Sequence, residues 1–239
     1  MKRIKHVIAA ACLIIVVSLQ AHATWSVIVI DPVTKTIGMA GASCTYSVYG
    51  IGGIIPGKGA VIVQAMSNKA AKAKGLQMIM ANAPPEQILA ALKNPYFDPE
   101  EQQYAIVCVN YPTRAITYTG EETTPANGAL TAKGISVQGN TLVTEKELIA
   151  ALDAALKAQE QSLPMEEILM QALEAGAKLG GDKRCGDRKA ASAFITVSKA
   201  TDNVQRPSIN LIVNQTDESS NAIVTLRKRL NEWKNNHRQ

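Results

Sequence analysis

Thr24 follows Ala21-His22-Ala23, a small-x-small pattern of the kind cut by a signal peptidase. A cut after Ala23 would leave Thr24 with a hydroxyl and a free α-amine on one residue. A threonine that uses its own amine as general base is one way to make a nucleophile without histidine. The ordinary pKa of an α-amine, about 7.7–8.0, keeps part of it neutral near working pH, where a lysine stays charged. Attack on an amide would form an ester on Thr24 and release an amine, and water would later release the acid. The competing reading is a polar residue that merely begins the first strand.

The histidines are His6, His22 and His237. Two precede Thr24 and the third sits near the C-terminus. A Ser-His-Asp or Cys-His arrangement is thereby excluded and a zinc site disfavoured. Any base must be Lys, Asp, Glu or an α-amine. Gln138-Gly139-Asn140 offers an oxyanion site, with a closely approachable amide at Gly139 and a side-chain N–H at Asn140; the alternative is a turn. Asp182 and Arg184 lie in a glycine-flanked loop. Arg184 could grip a substrate carboxylate while Asp182 orients the threonine amine, or the two could form a structural ion pair. Ser43 is a further candidate wall residue. Asn68 reads as a helix cap and Lys58 as a solvated lysine. Gly52-x-x-x-x-Gly57-Lys58 superficially suggests a phosphate loop, but Gly59 stands where a hydroxyl is needed and a strand pattern follows in place of a helix. No cofactor motif is present.

Residues 1–23 have the secretory pattern: Lys2, Arg3 and Lys5, an apolar run from Val7 to Leu19, then the small-residue site. The expectation is an exported chain, periplasmic or secreted, whose mature part is residues 24–239, a single domain with no transmembrane segment. Losing the three basic residues lowers the net charge from +5 to +2, and nothing points to nucleic acid. Cys44, Cys108 and Cys185 remain. Cys108 lies in an apolar run and reads as a small buried hydrophobe, which leaves Cys44 to pair with Cys185 in an oxidising compartment. The alternative is three free thiols.

The elements that must position these groups follow from periodicity and punctuation. Trp25–Ile30 is an apolar run with the pattern of a strand covered on both faces. Asp31-Pro32-Val33-Thr34 turns it back into a small-residue strand, Ile37–Cys44, that leaves room for close approach. Gly50–Gly59 reads as a loop and Ala60–Ala65 as a strand. A helix capped by Asn68 presents Leu76, Ile79 and Met80, and a second opens at Pro84-Pro85. Tyr104–Val109 and Ala115–Thr119 form a hairpin, followed by a polar loop and a strand, Gly134–Asn140. Thr144-Glu-Lys-Glu147 is a capping box for a helix presenting Leu148, Ile149, Leu152, Ala155 and Leu156. Pro164 starts a further helix, and Ala190–Val197 and Ser208–Val213 are strands. A last helix, 217–236, is capped by Asp217 and packs through Ile223, Leu226, Leu230 and Trp233, with Arg227, Lys228 and Arg229 solvated. Grouped strands and grouped helix pairs argue for stacked antiparallel sheets with helices outside.

The stretches Thr24-Trp-Ser-Val-Ile-Val-Ile-Asp-Pro32, Gly41-Ala-Ser-Cys44, Gly59-Ala-Val-Ile-Val-Gln-Ala65, Asn68, Gln103-Tyr-Ala-Ile-Val107, Val137-Gln-Gly-Asn140, Gly180-Gly-Asp-Lys-Arg-Cys185 and Ala191-Ser-Ala-Phe194 together resemble the family named domain of unknown function 1028. The resemblance implies an Ntn-hydrolase-like α+β fold, a four-layer αββα sandwich. Cysteines after Gly-Ala-Ser and after the Arg of the glycine loop resemble the exported branch, which supports the Cys44–Cys185 pair. Gly186-Asp-Arg-Lys189 departs from the pattern. Two functions follow as expectations: an exported N-terminal-threonine amidohydrolase acting on a small amide or peptide-like substrate, or a non-catalytic periplasmic ligand-binding module. A structural assembly role has no edge-strand signal behind it.

Overall fold

The computed structural model describes residues 24–237. The expected leader, residues 1–23, lies outside the described residues. Among those described, one antiparallel sheet has the order β10 (Ile209–Val213), β9 (Ser192–Ser198), β2 (Thr36–Ser43), β1 (Thr24–Asp31), β8 (Ile135–Asn140) and β7 (Gly128–Ala132). The smaller sheet has the order β3 (Gly52–Ile55), β4 (Gly59–Ala65), β5 (Gln102–Cys108) and β6 (Ile116–Thr119). Five α-helices accompany them: α1 (Lys69–Met80), α2 (Pro85–Leu92), α3 (Lys146–Glu160), α4 (Met165–Leu179) and α5 (Ala222–His237).

The alternation of side chains along β1 builds the layers. Trp25, Val27 and Val29 point to one face and join the helices α3, α4 and α5 in one core. Ile28 and Ile30 point to the other and meet Ile62, Ala105 and Val107 of the smaller sheet. Beyond that sheet, Val61, Val63 and Ile106 pack on Ile79, Ile88 and Leu92 of α1 and α2. The result is helices, sheet, sheet, helices: a mixed α+β sandwich of four layers. A strand buried on both faces has no position for solvated residues, hence the unbroken apolar run in β1. The close approach that the small residues of β2 permit is made by α4. A Cβ on Gly38 would stand 2.7 Å from Leu169 Cδ1, and one on Gly176 of α4 would stand 2.8 Å from Trp25 Nε1.

Several elements differ from the sequence expectations. The segment Gly50–Gly59 contains the edge strand β3, and the polar loop after β6 contains the edge strand β7. Both are short, and their pairing partners hold them in place where their own composition would not. Ile149 and Met80 face outward, at 52% and 54% exposure: Leu148, Ala151, Ala155 and Ala158 carry the inner face of α3, and Ala71, Gly75 and Ile79 that of α1. The last helix begins at Ala222, where Asn221 Oδ1 accepts the Ile223 N–H at 2.9 Å. Asp217 instead closes a turn through Ser220 N–H. Arg227 is not solvated: it lies between Glu167 and Glu174 of α4, 2.8 Å from each, and ties α5 to the helical layer. The remaining caps agree with expectation. Asn68 Oδ1 accepts the N–H groups of Ala70 and Ala71, both at 3.0 Å.

Cys44 and Cys185 form a disulfide, with Cα atoms 5.5 Å apart. Cys108 is buried and free, and burial pushes its thiol up to about 11. The bridge joins the end of β2 to the loop between α4 and β9. It spans 141 residues of sequence, for which the chain-entropy estimate is about 5 kcal/mol. Urea unfolding with and without reductant should therefore show a loss of about 2–5 kcal/mol on reduction, reproduced by the double variant Cys44→Ser, Cys185→Ser. An unchanged midpoint would mean that the bridge adds no stability.

Candidate functional site

Strand pairing places four polar residues in a row at one end of the larger sheet. Thr24 lies opposite Asn140 on β8 and opposite Ser43 on β2. Ser43 in turn lies opposite Ser192 on β9. Residues directly opposite in an antiparallel pair share a face, and Thr24 shares its face with Ser26, Ile28 and Ile30. The row Asn140, Thr24, Ser43, Ser192 therefore points between the sheets. All four are buried, Thr24 with 3% exposure. A pocket of about 410 Å³ opens beside Thr24, its walls including Tyr49, Gln64, Ser67, Lys69 and Lys72.

A buried polar network underlies the row. Ser136 Oγ donates to Gln138 Oε1 at 2.8 Å, and Gln138 Nε2 donates to Ser26 Oγ at 2.5 Å. Ser26 Oγ donates to Gln64 Oε1 at 2.5 Å. Gln64 Nε2 donates to Gln103 Oε1 at 2.9 Å and to the Thr24 carbonyl at 3.3 Å. Gln103 Nε2 donates to the Gly139 carbonyl at 2.9 Å. Every member holds its neighbour's orientation, so the backbone at Thr24 is fixed from the opposite sheet. The sequence assigned no role to Ser26, Gln64, Gln103 or Ser136, and Gln138, named there only within the oxyanion candidate, belongs to this network. The available signal was a polar residue inside each apolar strand, at period 2 in β8. Ser192 was also missed; its buried Oγ has no hydrogen-bond partner among the described residues.

The disulfide and an ion pair brace the other side. Asp182 is fully buried. Its Oδ2 accepts the Cys44 N–H at 2.6 Å and Arg184 Nη2 at 2.8 Å, and its Oδ1 accepts the Arg184 N–H at 3.0 Å and Nε at 3.1 Å. Arg184 Nη2 also reaches Ser43 Oγ at 3.4 Å. The structural reading of the pair thus accounts for these contacts: Asp182 holds the loop against β2, one residue from Ser43. Asp182 and Arg184 do not line the pocket beside Thr24. Gly139 is accounted for by packing. A Cβ there would stand 2.8 Å from Leu142 Cδ1 and 3.1 Å from Leu148 Cδ2, on the helix side of the sheet. Asn140, by contrast, is a direct neighbour of Thr24.

A second buried carboxylate lies behind the loop. Glu147 Oε1 accepts the Thr144 N–H at 3.2 Å, and Thr144 Oγ1 accepts the Lys146 N–H at 3.1 Å, which is the expected capping box. Glu147 is 1% exposed. Burial, with the Asp182 charge adding to it and backbone N–H groups opposing, pushes its carboxyl up to about 7. On the pocket wall, burial and then the neighbouring Lys69 charge hold the Lys72 ammonium below the ordinary lysine range. Among the described residues no group of three or more His, Cys, Asp or Glu could hold a metal ion, and no helix is long and apolar enough to cross a membrane.

The chain belongs to a family of unknown function, DUF1028, whose model matches residues 24–223. The crystal structure of protein SPO2555 from Silicibacter pomeroyi, attributed to the same family, superposes with a TM-score of 0.74 at 22% identity, covering 89% of this chain and 86% of that one. That likeness shows a shared fold. No curated protein matches the chain.

Glu147 gives the loop region a pH dependence. Its folded pKa lies above the ordinary 4.5, so between 4.5 and about 7 the folded state holds the proton more tightly than the unfolded one. Stability therefore falls as pH rises through that window, and the full penalty persists above it. Glu147→Gln keeps the acceptor for Thr144 and removes the charge. Thermal and urea unfolding should show it gaining on the wild type by on the order of 2 kcal/mol between pH 5 and pH 8. A pH-independent gap would show that Glu147 ionises normally.

Proposed function

We propose that this member of the family is an exported hydrolase whose nucleophile is Thr24, made N-terminal by removal of residues 1–23 and acting on an amide. The observation that carries the reading is the position of Thr24: first in β1, first in the family match, between Ser43 and Asn140 in the sheet, and on the wall of a pocket. A peptide bond to Ala23 would leave no basic amine, so removal of the leader is the activating step. Export also fits the disulfide, which persists in an oxidising compartment.

In the reaction, Thr24 Oγ attacks the amide carbonyl carbon while its hydroxyl proton passes to the Thr24 α-amine, directly or through water. The carbonyl oxygen becomes an oxyanion, for which the side-chain N–H of Asn140, the β8 partner of Thr24, is the candidate donor. Collapse breaks the C–N bond, the leaving amine takes the proton from the α-ammonium, and the acyl group remains as an ester on Thr24. Water then adds to the ester, gives its proton to the α-amine, and releases the carboxylic acid with Thr24 restored. Ser43 flanks Thr24 on the β2 side without lining the pocket, and the Asp182–Arg184 brace holds the end of that strand. A second reading, ligand binding without turnover, is favoured by the 3% exposure of Thr24, which leaves an electrophile little access.

Intact mass and N-terminal sequencing of the exported protein should give a chain beginning at Thr24. A β-lactone electrophile that acylates N-terminal threonines should then add one equivalent to the wild type and none to Thr24→Ala. Thr24→Ser should retain labelling, because serine supplies the same two groups. An N-terminus at another residue, or equal labelling of Thr24→Ala, would overturn the nucleophile. A chain that begins at Thr24 but resists acylation would select the binding reading.

A further inference from the structure

The pocket beside Thr24 has a one-sided charge. Its walls hold Lys69 and Lys72 and no acidic residue. Neither lysine forms an ion pair among the described residues, although the chain as a whole carries 25 basic against 20 acidic side chains and offers many partners. Lys72 projects from α1 across the pocket wall and donates to the Gly50 carbonyl, which fixes its Nζ while leaving two further N–H donors. The remaining walls are mixed: hydroxyls and an amide from Thr45, Ser47, Ser67 and Gln64, the ring of Tyr49, and the apolar side chains of Val48, Ile51, Ala65 and Met66. The rim is set in place as well. Met66 N–H donates to the Glu101 carbonyl at 3.2 Å, and Asn68 N–H to Gln102 Oε1 at 3.1 Å. Two ammonium groups without a carboxylate partner on the wall of one pocket, Lys72 half-buried and Lys69 exposed, favour an anion, since a bound negative charge offsets both the desolvation of Lys72 and its repulsion by Lys69. Arg184, the cation that the sequence reading offered for this task, is engaged with Asp182.

We infer that the pocket selects acyl amides bearing a free carboxylate, with Lys72 as its principal binding group and Lys69 as its neighbour, and the scissile carbonyl directed to Thr24. The inference rests on the proposed function for the direction of the carbonyl, but the acid-binding half stands without turnover. The substrate class is accordingly small peptide-like acids, such as N-acyl amino acids or short peptides with a free C-terminus. The volume of about 410 Å³ suits a ligand of that size.

The test uses the mature protein and a matched pair of probes, N-acetyl-alanyl-alanine and its C-terminal carboxamide, which differ in charge at one group. Protein-detected NMR should show the acid, and not the carboxamide, shifting the signals of Ser67 and Lys72. Binding should persist in Thr24→Ala and weaken with added salt. Lys72→Met should weaken it by about tenfold or more, and Lys72→Arg should restore most of the loss. Lys69→Gln should give a smaller loss, and melting curves identify any variant that fails to fold. Equal binding of acid and carboxamide, binding of neither, or full affinity in a folded Lys72→Met would overturn the inference. Inorganic phosphate binding as tightly as the acid would replace it with a general anion site. Selective acid binding by a protein that resists β-lactone labelling would sustain the acid site and remove the nucleophile, so the two readings fail separately.

Discussion

The hydrogen bonding of β1 on both sides is the constraint on which the rest depends. A strand paired along its length to β2 and β8 can neither slide nor turn without breaking both ladders. Because side chains alternate with period 2, a slip of one residue would send Trp25 toward the smaller sheet and Ile28 toward the helices. Burial of Trp25 on one face and Ile28 on the other forbids that slip. The same register decides that Thr24 lies between Ser43 and Asn140, with its side chain between the sheets.

Two further devices act on that strand end from different directions. From the smaller sheet, Gln64 and Gln103 reach across and bind the Thr24 and Gly139 carbonyls. From the loop after α4, the disulfide and the Asp182 carboxylate clamp the end of β2. A buried glutamine is costly unless its amide is satisfied, and each of these amides has partners. The network therefore specifies one arrangement of the sheets where an apolar interface would tolerate several. The brace differs in kind, since Asp182 is a buried charge that keeps its place only with its guanidinium and backbone donors present.

The helical layers show where apolar periodicity was a sufficient guide and where it was not. In α3 the periodicity implied an inner face of Leu148, Ile149, Leu152, Ala155 and Leu156. Leu148 and Ala155 are buried there and Leu152 and Leu156 pack against the core, but Ile149 faces outward, and Ala151 and Ala158 complete the face, because α4 lies close and small residues permit the approach. In α5, three consecutive basic residues read as a solvated face. Arg227 is nonetheless drawn in by Glu167 and Glu174, which lie 60 and 53 residues away in sequence. No local pattern contains that pairing.

Much of this molecule is set by local sequence. The two-sided burial of β1 follows from its unbroken apolar run, the starts of α1 and α3 from Asn68 and Thr144-Glu-Lys-Glu147, and the bridge from the count and setting of the cysteines. Thr24, Ser43 and Asn140 were recognisable as chemically able residues one at a time. The edge strands β3 and β7 were not legible, because a short half-exposed strand draws its stability from a partner and leaves little trace in its own composition. The glutamine network was visible only as isolated polar residues in apolar strands. Which of them meet depends on how two sheets stack, and stacking brings together Ser26, Gln64, Gln103 and Gln138 from four different strands. Nothing in the local sequence marks Lys69 and Lys72 of α1 as residues of the pocket. Only the tertiary structure decides that α1 begins beside Thr24, because that proximity comes from sheet packing and leaves no mark on the spacing of residues along the chain.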